Sequence, residues 1–191
     1  REHIPIYLAA IGPKNLELAG EIADGWLAIF YSPEHAADSM AHIRSGRERA
    51  GLTLEGFDVV PTVPVAFGDD VAACANMIRP YAALYVGGMG SKETNFYNQL
   101  ASRMGFEAEA DEIQAKYMAK DYRGAAGSVP QAFIDQTSLI GPRERVRDRL
   151  AAYAEAGVTT LTVSPTAPTL EERTAALVTM SEILVDAGLD G

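Results

Sequence analysis

The chain has 191 residues and a mass of 20.4 kDa, with 48% apolar and 22% charged residues, a composition that suits one well-buried domain. The 16 basic and 26 acidic residues give a net charge of −10, which argues against nucleic acid or an anionic membrane as a bulk electrostatic partner. An anionic small molecule held by a local site is not excluded. The single cysteine, Cys74, excludes an intramolecular disulfide and is typical of a reducing cytoplasm. No apolar run approaches the ~20 residues of a membrane span, and no signal peptide is visible.

Four segments have the character of buried strands. The first two are apolar on both faces, which is typical of parallel strands covered by helices. The third is rich in β-branched residues, which favour strands. In chain order the four predicted strands are residues 4–10, 25–31, 58–67 and 158–164.

A helical pattern follows each predicted strand. Pro13 lies at the first position of the first helix, and Ser32 is the predicted N-cap of the second. The third covers residues 69–78, and the last begins after Thr169 and is closed by Gly188. This alternation predicts parallel βαβ units in an α/β fold.

About 90 residues separate the third and fourth predicted strands, and they look almost wholly helical. Only the last helix is needed to lead into the fourth strand, so residues 80–141 are predicted to be a helical insertion within a single domain, 1–191. In a barrel, such insertions most often lie at the catalytic face. The four helices predicted in this region are residues 95–104, 108–121, 130–139 and 142–156, after a glycine-rich loop at 87–91.

The segment from Ala9 to Asn15 joins the first strand to its helix. Gly12 allows close backbone approach and unusual dihedral angles, and the helix start offers N–H groups and a partial positive charge. This is a phosphate-binding geometry without a P-loop consensus, to which Asn15 adds a donor and Lys14 a charge. A plain strand–turn–helix connection needs Gly and Pro as well, so both interpretations stay open.

Tyr31 and Ser32 occupy the same place one unit later, where ligands of parallel α/β folds bind. Capping of its own helix is the favoured role for Ser32, with ligand contact as the alternative. Residues 95–98 form a polar and aromatic cluster that is either a helix start or a ligand face. The charge run 143–149 is predicted to be mostly a solvated face. No metal site is predicted, because metal-ligand spacing is absent around His3, His35 and His42.

The segment 5–26, PIYLAAIGPKNLELAGEIADGW, resembles the mid-chain part of bacterial luciferase-like monooxygenases. It is most similar to the coenzyme F420-dependent branch, which includes methylenetetrahydromethanopterin reductases. Further stretches resemble the helical excursion, the penultimate helix and the last strand of that branch: residues 80–90 with 95–97, 141–150 and 156–165. The resemblance implies a (β/α)8 TIM barrel of which this chain holds strands five to eight. About 150 residues with strands one to four are then expected before Arg1.

The resemblance also implies a function, namely hydride transfer between the deazaflavin F420 and a small organic substrate. In this family the cofactor phosphate lies at the loop after strand five. The resemblance therefore indicates one set of cofactor-binding residues: Ala9, Ala10, Ile11, Gly12 and Asn15, with Tyr31 and Ser32 from the next loop. No catalytic acid or base is assigned, because the family's catalytic groups come mostly from the other half. The alternatives are an FMN-dependent monooxygenase that uses dioxygen and a non-catalytic half-barrel for binding or assembly. We expect a cytoplasmic homo-oligomer.

Overall fold

The structure, a computed structural model, describes residues 4–91 and 94–189, an α/β fold with a parallel sheet. His3 lies outside the described residues. The chain divides into two compact units: Arg1–Val63 with Asp148–Ser164, and Pro64–Arg147 with Pro165–Gly191. That residues 1–191 form one domain with an insertion at 80–141 stays a prediction.

The first unit is built on a parallel sheet in which neighbouring strands follow the chain order of the βα units. Leu8 pairs with Trp26, and Trp26 pairs with Val59 on the next strand. The elements of this unit are β1 (Tyr7–Ala9), α1 (Pro13–Ile22), β2 (Gly25–Ile29), a 3₁₀ turn (Pro33–His35), α2 (Ala36–Arg49), β3 (Asp58–Phe67), α8 (Arg143–Glu155) and β5 (Thr162–Pro165). Strand β5 pairs with β3, and three elements, β3, α8 and β5, have residues in both units.

The second unit is mostly helical. The end of β3 continues into it and pairs in parallel with a short strand, Ala66 opposite Ile140. Its remaining elements are α3 (Val71–Ala83), a π-helical turn (Leu84–Gly88), α4 (Phe96–Arg103), α5 (Glu107–Met118), α6 (Tyr122–Ser128), α7 (Gln131–Thr137), β4 (Leu139–Gly141) and α9 (Leu170–Asp186).

Helices α1 and α2 approach each other to backbone contact because glycine occupies the crossing on both sides. A Cβ atom on Gly20 would lie 2.1 Å from the carbonyl oxygen of Ile43, and one on Gly46 would lie 1.9 Å from that of Glu17. Such distances are well inside van der Waals contact. The buried face of α1 is therefore held against α2 directly behind β1 and β2.

The predicted helix ends are confirmed where local chemistry decides them. Pro13 opens α1, and Thr169 opens α9 in a reciprocal capping box with Glu172. Gly188 follows α9 with a φ of +67°, a conformation that favours glycine.

The prediction of four strands is wrong, because the described part of the chain holds a fifth, β4. Its three residues are all buried and are too few to show a period of two. The helix predicted for 130–139 therefore ends at Thr137, before that strand. The predicted glycine loop at 87–91 is wrong in its first two residues, since Gly87 and Gly88 belong to the π-helical turn.

Candidate functional site

The loop after β1 presents the start of α1. Gly12 is the N-cap residue, and within the described residues no side chain caps this helix start. The N–H groups of Asn15 and Leu16 both donate to the Gly12 carbonyl, at 3.1 and 3.0 Å, and Pro13 has no N–H to offer. The backbone N–H groups of Gly12 and Lys14 therefore remain at the helix start, where an α-helix has no carbonyl of its own to accept them.

Gly12 borders open space, although its backbone is ordinary. Its φ of −83° and ψ of 153° are extended values that most residues adopt, so the unusual dihedral angles that glycine allows are not used here. A Cβ atom built on Gly12 would meet nothing within 4 Å. The side chain of Lys14 is 92% exposed and lies 3.6 Å from the Glu17 carboxylate. The loop thus combines N–H groups, an exposed cation and room for a small anion, which are the features that phosphate needs.

Ala10 is buried in this loop, and Trp26 of β2 satisfies its carbonyl. The indole Nε1–H donates to the Ala10 carbonyl oxygen over 2.9 Å. Trp26 is itself 5% exposed. Trp26 is not among the residues predicted for the site. The signal was present, because a buried tryptophan usually needs an acceptor for its N–H.

The loop after β2 begins with Phe30 at a φ of +51°, a conformation that is rare for a bulky residue and recurs at functional sites. Tyr31 follows and is buried, with its hydroxyl donating to the Ala156 carbonyl over 2.6 Å. Burial raises the pKa of Tyr31 to about 12. The Tyr153 hydroxyl in turn donates to the Tyr31 carbonyl over 3.1 Å. The Tyr31 side chain therefore anchors this loop to the end of α8.

Ser32 is the N-cap residue of the 3₁₀ turn, but the predicted capping by its side chain is wrong. Its hydroxyl donates instead to the Glu34 carboxylate over 2.7 Å. The Glu34 carboxylate also accepts hydrogen bonds from both terminal nitrogens of Arg149, and Nη2 lies 2.8 Å from Oε2. The Arg149 hydrogen bonds, assisted by Ser32, lower the pKa of Glu34 to about 2. The guanidinium lies 5.5 Å above the centroid of the Tyr153 ring.

The structure brings the two predicted loops together through aromatic rings. The Trp26 ring lies 5.9 Å from the Tyr31 ring, which lies 5.7 Å from that of Tyr153. The backbone of Ala9 to Gly12 and the exposed Asn15 border the helix start, whereas the hydroxyls of Tyr31 and Ser32 are engaged with protein atoms. All seven predicted residues belong to the first unit: Ala9, Ala10, Ile11, Gly12, Asn15, Tyr31 and Ser32.

The polar cluster of residues 95–98 lies in the second unit and forms a helix start. The buried Asn95 accepts from the N–H groups of Tyr97 and Asn98 at 3.0 and 3.1 Å. Its Nδ2 donates to the carbonyls of Tyr85 and Val86 at 3.1 and 2.8 Å, so it also satisfies the π-helical turn. The Tyr85 ring lies 4.9 Å from the rings of both Tyr81 and Tyr97, so three tyrosine rings pack together beside this helix start.

Two arginines of the charge run that lie in the second unit pair with acidic side chains. Arg143 bonds to Glu182 and Asp186, each at 2.6 Å, and Arg145 lies 3.0 Å from Asp135. Across residues 4–91 and 94–189, no group of three or more His, Cys, Asp or Glu side chains could hold a metal ion. None of the helices in that same part of the chain combines the length and the apolar character needed to cross a membrane.

Comparison with known proteins gives one family and several relatives. The profile of the luciferase-like monooxygenases matches residues 1–160. A Mycobacterium tuberculosis protein named as a coenzyme F420-dependent oxidoreductase is 40% identical over 86% of this chain and 48% of its own. The 5,10-methylenetetrahydromethanopterin reductase of Archaeoglobus fulgidus is 31% identical over 86% and 49% of the two chains. The coenzyme F420-dependent tetrahydromethanopterin reductase structure from Methanopyrus kandleri superposes with a TM-score of 0.74 at 26% identity, covering 91% of this chain and 49% of that one. The chain thus spans about half the length of the relatives it matches.

Proposed function

Because the chain belongs to the luciferase-like monooxygenase family, we propose that the protein is a coenzyme F420-dependent oxidoreductase that transfers a hydride between this deazaflavin and a small organic substrate. The observation that carries the proposal is the uncapped start of α1 beside open space at Gly12. Relatives at 40% and 31% identity with names from F420 chemistry support it. The helix start would suit the phosphate of FMN as well, so the preference for F420 over FMN rests on the names of these relatives.

The residues present fit the phosphate of such a cofactor. The backbone N–H groups of Gly12 and Lys14 would donate to it, with the Lys14 ammonium and the Asn15 amide as side-chain partners. The partial positive charge at a helix start favours an anion by roughly 0.3–1 kcal/mol. When bound, F420 supplies the hydride acceptor or donor, and the protein supplies binding and orientation. The buried contacts of Ala10 and Tyr31 keep the two loops in place around it.

We further propose that this chain corresponds to strands five to eight of a (β/α)8 barrel, with α4 to α7 in an insertion at 80–141. The half-length match to the relatives and the parallel sheet support this assignment. It leaves the substrate-side groups to the part of the barrel with strands one to four, so that part is the expected partner of this chain. A cytoplasmic, homo-oligomeric enzyme stays our expectation for the whole protein.

The cofactor is tested by titrating the purified protein with F420 and following F420 fluorescence, with FMN titrated in parallel. We expect saturable binding of F420, competition by inorganic phosphate, and no saturable binding of FMN at the same concentrations. Binding of FMN without F420 would favour the flavin-dependent alternative. If neither binds and the protein is a stable monomer by light scattering, the non-catalytic module is favoured.

A further inference from the structure

We infer that Trp26 is a positioning residue for the cofactor phosphate, acting through the hydrogen bond from its indole N–H to the Ala10 carbonyl. This inference rests on the proposed function and adds a residue to it. The bond is 2.9 Å long, and both residues are about 95% buried.

The bond controls the loop because a peptide unit is planar. The carbonyl of Ala10 and the N–H of Ile11 lie in one rigid trans plane and point in opposite directions. Holding the carbonyl on Trp26 therefore fixes the orientation of the plane that leads into Gly12. Two peptide units later α1 begins, so a rotation of this plane would displace the N–H groups that would bind the phosphate.

Trp26 is able to hold the loop because it is itself held. Its backbone lies in β2, paired with Leu8 on one side and Val59 on the other. Its ring packs 5.9 Å from that of Tyr31, whose hydroxyl is fixed on the Ala156 carbonyl. A polar group that is supported in this way stays in one orientation, which is what a preorganised binding site requires.

The inference can be tested at one atom, because Trp26 is the only tryptophan of the chain. Biosynthetic replacement of tryptophan by benzothienylalanine substitutes sulfur for the indole N–H and keeps the shape of the ring. Replacement by 5-fluorotryptophan keeps the N–H and serves as the matched control. Neither replacement opens a cavity, so both forms should fold, which a Trp26→Phe substitution does not guarantee.

We expect the benzothienylalanine form to bind F420 about tenfold more weakly than the 5-fluorotryptophan form, since the buried Ala10 carbonyl loses the indole donor that orients it. In the 5-fluorotryptophan form, we expect the fluorine NMR signal to shift when inorganic phosphate is added at concentrations that displace F420. A purely structural role would lower the unfolding temperature of the benzothienylalanine form without changing its affinity for F420.

The outcomes separate the inference from the proposed function. If both forms bind F420 with equal affinity, the positioning role of Trp26 is overturned and the proposed cofactor stands. If the fluorine signal does not respond to inorganic phosphate at concentrations that displace F420, the coupling between Trp26 and the loop is overturned. If no form binds F420, including the unlabelled protein, the proposed function fails and the inference fails with it.

Discussion

Replacing Gly12 by alanine should separate the binding role of the loop after β1 from its structural role. The backbone of Gly12 has a φ of −83° and a ψ of 153°, which alanine adopts without strain. The added Cβ atom would meet no protein atom within 4 Å. It would occupy space directly beside the N–H groups that we assign to the cofactor phosphate. The substitution is therefore silent for the fold and disruptive for the ligand.

The expected change in stability is small because two contributions oppose each other. Removing a glycine restricts the unfolded chain and stabilises the protein by about 0.4–1 kcal/mol. Alanine is a poorer N-cap residue than glycine, which costs a similar amount, roughly 0.5–1 kcal/mol. The free energy of unfolding should therefore change by less than about 1 kcal/mol. Affinity for F420 should fall by about tenfold or more, because a methyl group lies where the phosphate must approach the backbone.

The assay is a pair of measurements on the same preparation, urea denaturation for stability and fluorescence titration with F420 for affinity. Gly127→Ala is the matched control, since a Cβ atom at that position also meets nothing within 4 Å and lies far along the chain in α6. The control should bind F420 as the unsubstituted protein does. Unchanged affinity in Gly12→Ala would refute the assignment of the phosphate to this loop.

Three further predictions concern the framework of the site and the second unit. Gly20→Ala should destabilise the protein by about 3 kcal/mol in urea, because its Cβ would lie 2.1 Å from the Ile43 carbonyl; a loss below 1 kcal/mol would contradict the backbone contact of α1 and α2. Asn95→Ala should cost about 3 kcal/mol by the loss of a helix cap and of donors to two buried carbonyls, and Asn95→Ser, which retains a capping hydroxyl, should cost about 1 kcal/mol less in the same denaturation experiment. Glu34→Gln should be less stable than the unsubstituted protein above pH 4.5, the ordinary pKa, and this difference should vanish as the pH falls through about 2, since the stability contribution of a carboxyl with a lowered pKa is lost on protonation; thermal melts across that range at low and high salt check both the sign and the screening.

The loop after β1 and its helix could be predicted because the residues that define them are consecutive. A short apolar strand followed by Gly12 and Pro13 specifies the end of the strand and the start of α1 without help from distant residues. The capping box at Thr169 is local in the same sense. The fold class followed from these local signals, because alternating strands and helices have few ways to bury their apolar faces.

The contacts that hold the site could not be predicted because they depend on register and on residues far apart in the chain. Trp26 reaches Ala10 only because β1 and β2 pair with Leu8 opposite Trp26. The Ser32 hydroxyl donates to Glu34 and accepts no N–H of its turn. Glu34 is in turn held by Arg149, 115 residues later. Local patterns contain no information on such partners.

Strand β4 and the π-helical turn were missed for a related reason. Leu139–Gly141 is too short for any periodicity and is a strand only because β3 extends beside it. In the π-helical turn, the carbonyls of Tyr85 and Val86 accept hydrogen bonds from the Asn95 side chain, which lies beyond the turn in the chain. Both features are decided by tertiary contacts rather than by propensity.

The most direct test of the central claim is a crystal structure of the protein with F420 bound. Our account predicts that the phosphate lies at the start of α1, within hydrogen-bond distance of the backbone nitrogens of Gly12 and Lys14, with the Trp26 to Ala10 hydrogen bond intact. A phosphate bound at any other part of the chain, with the Gly12 loop in contact with solvent alone, would contradict it.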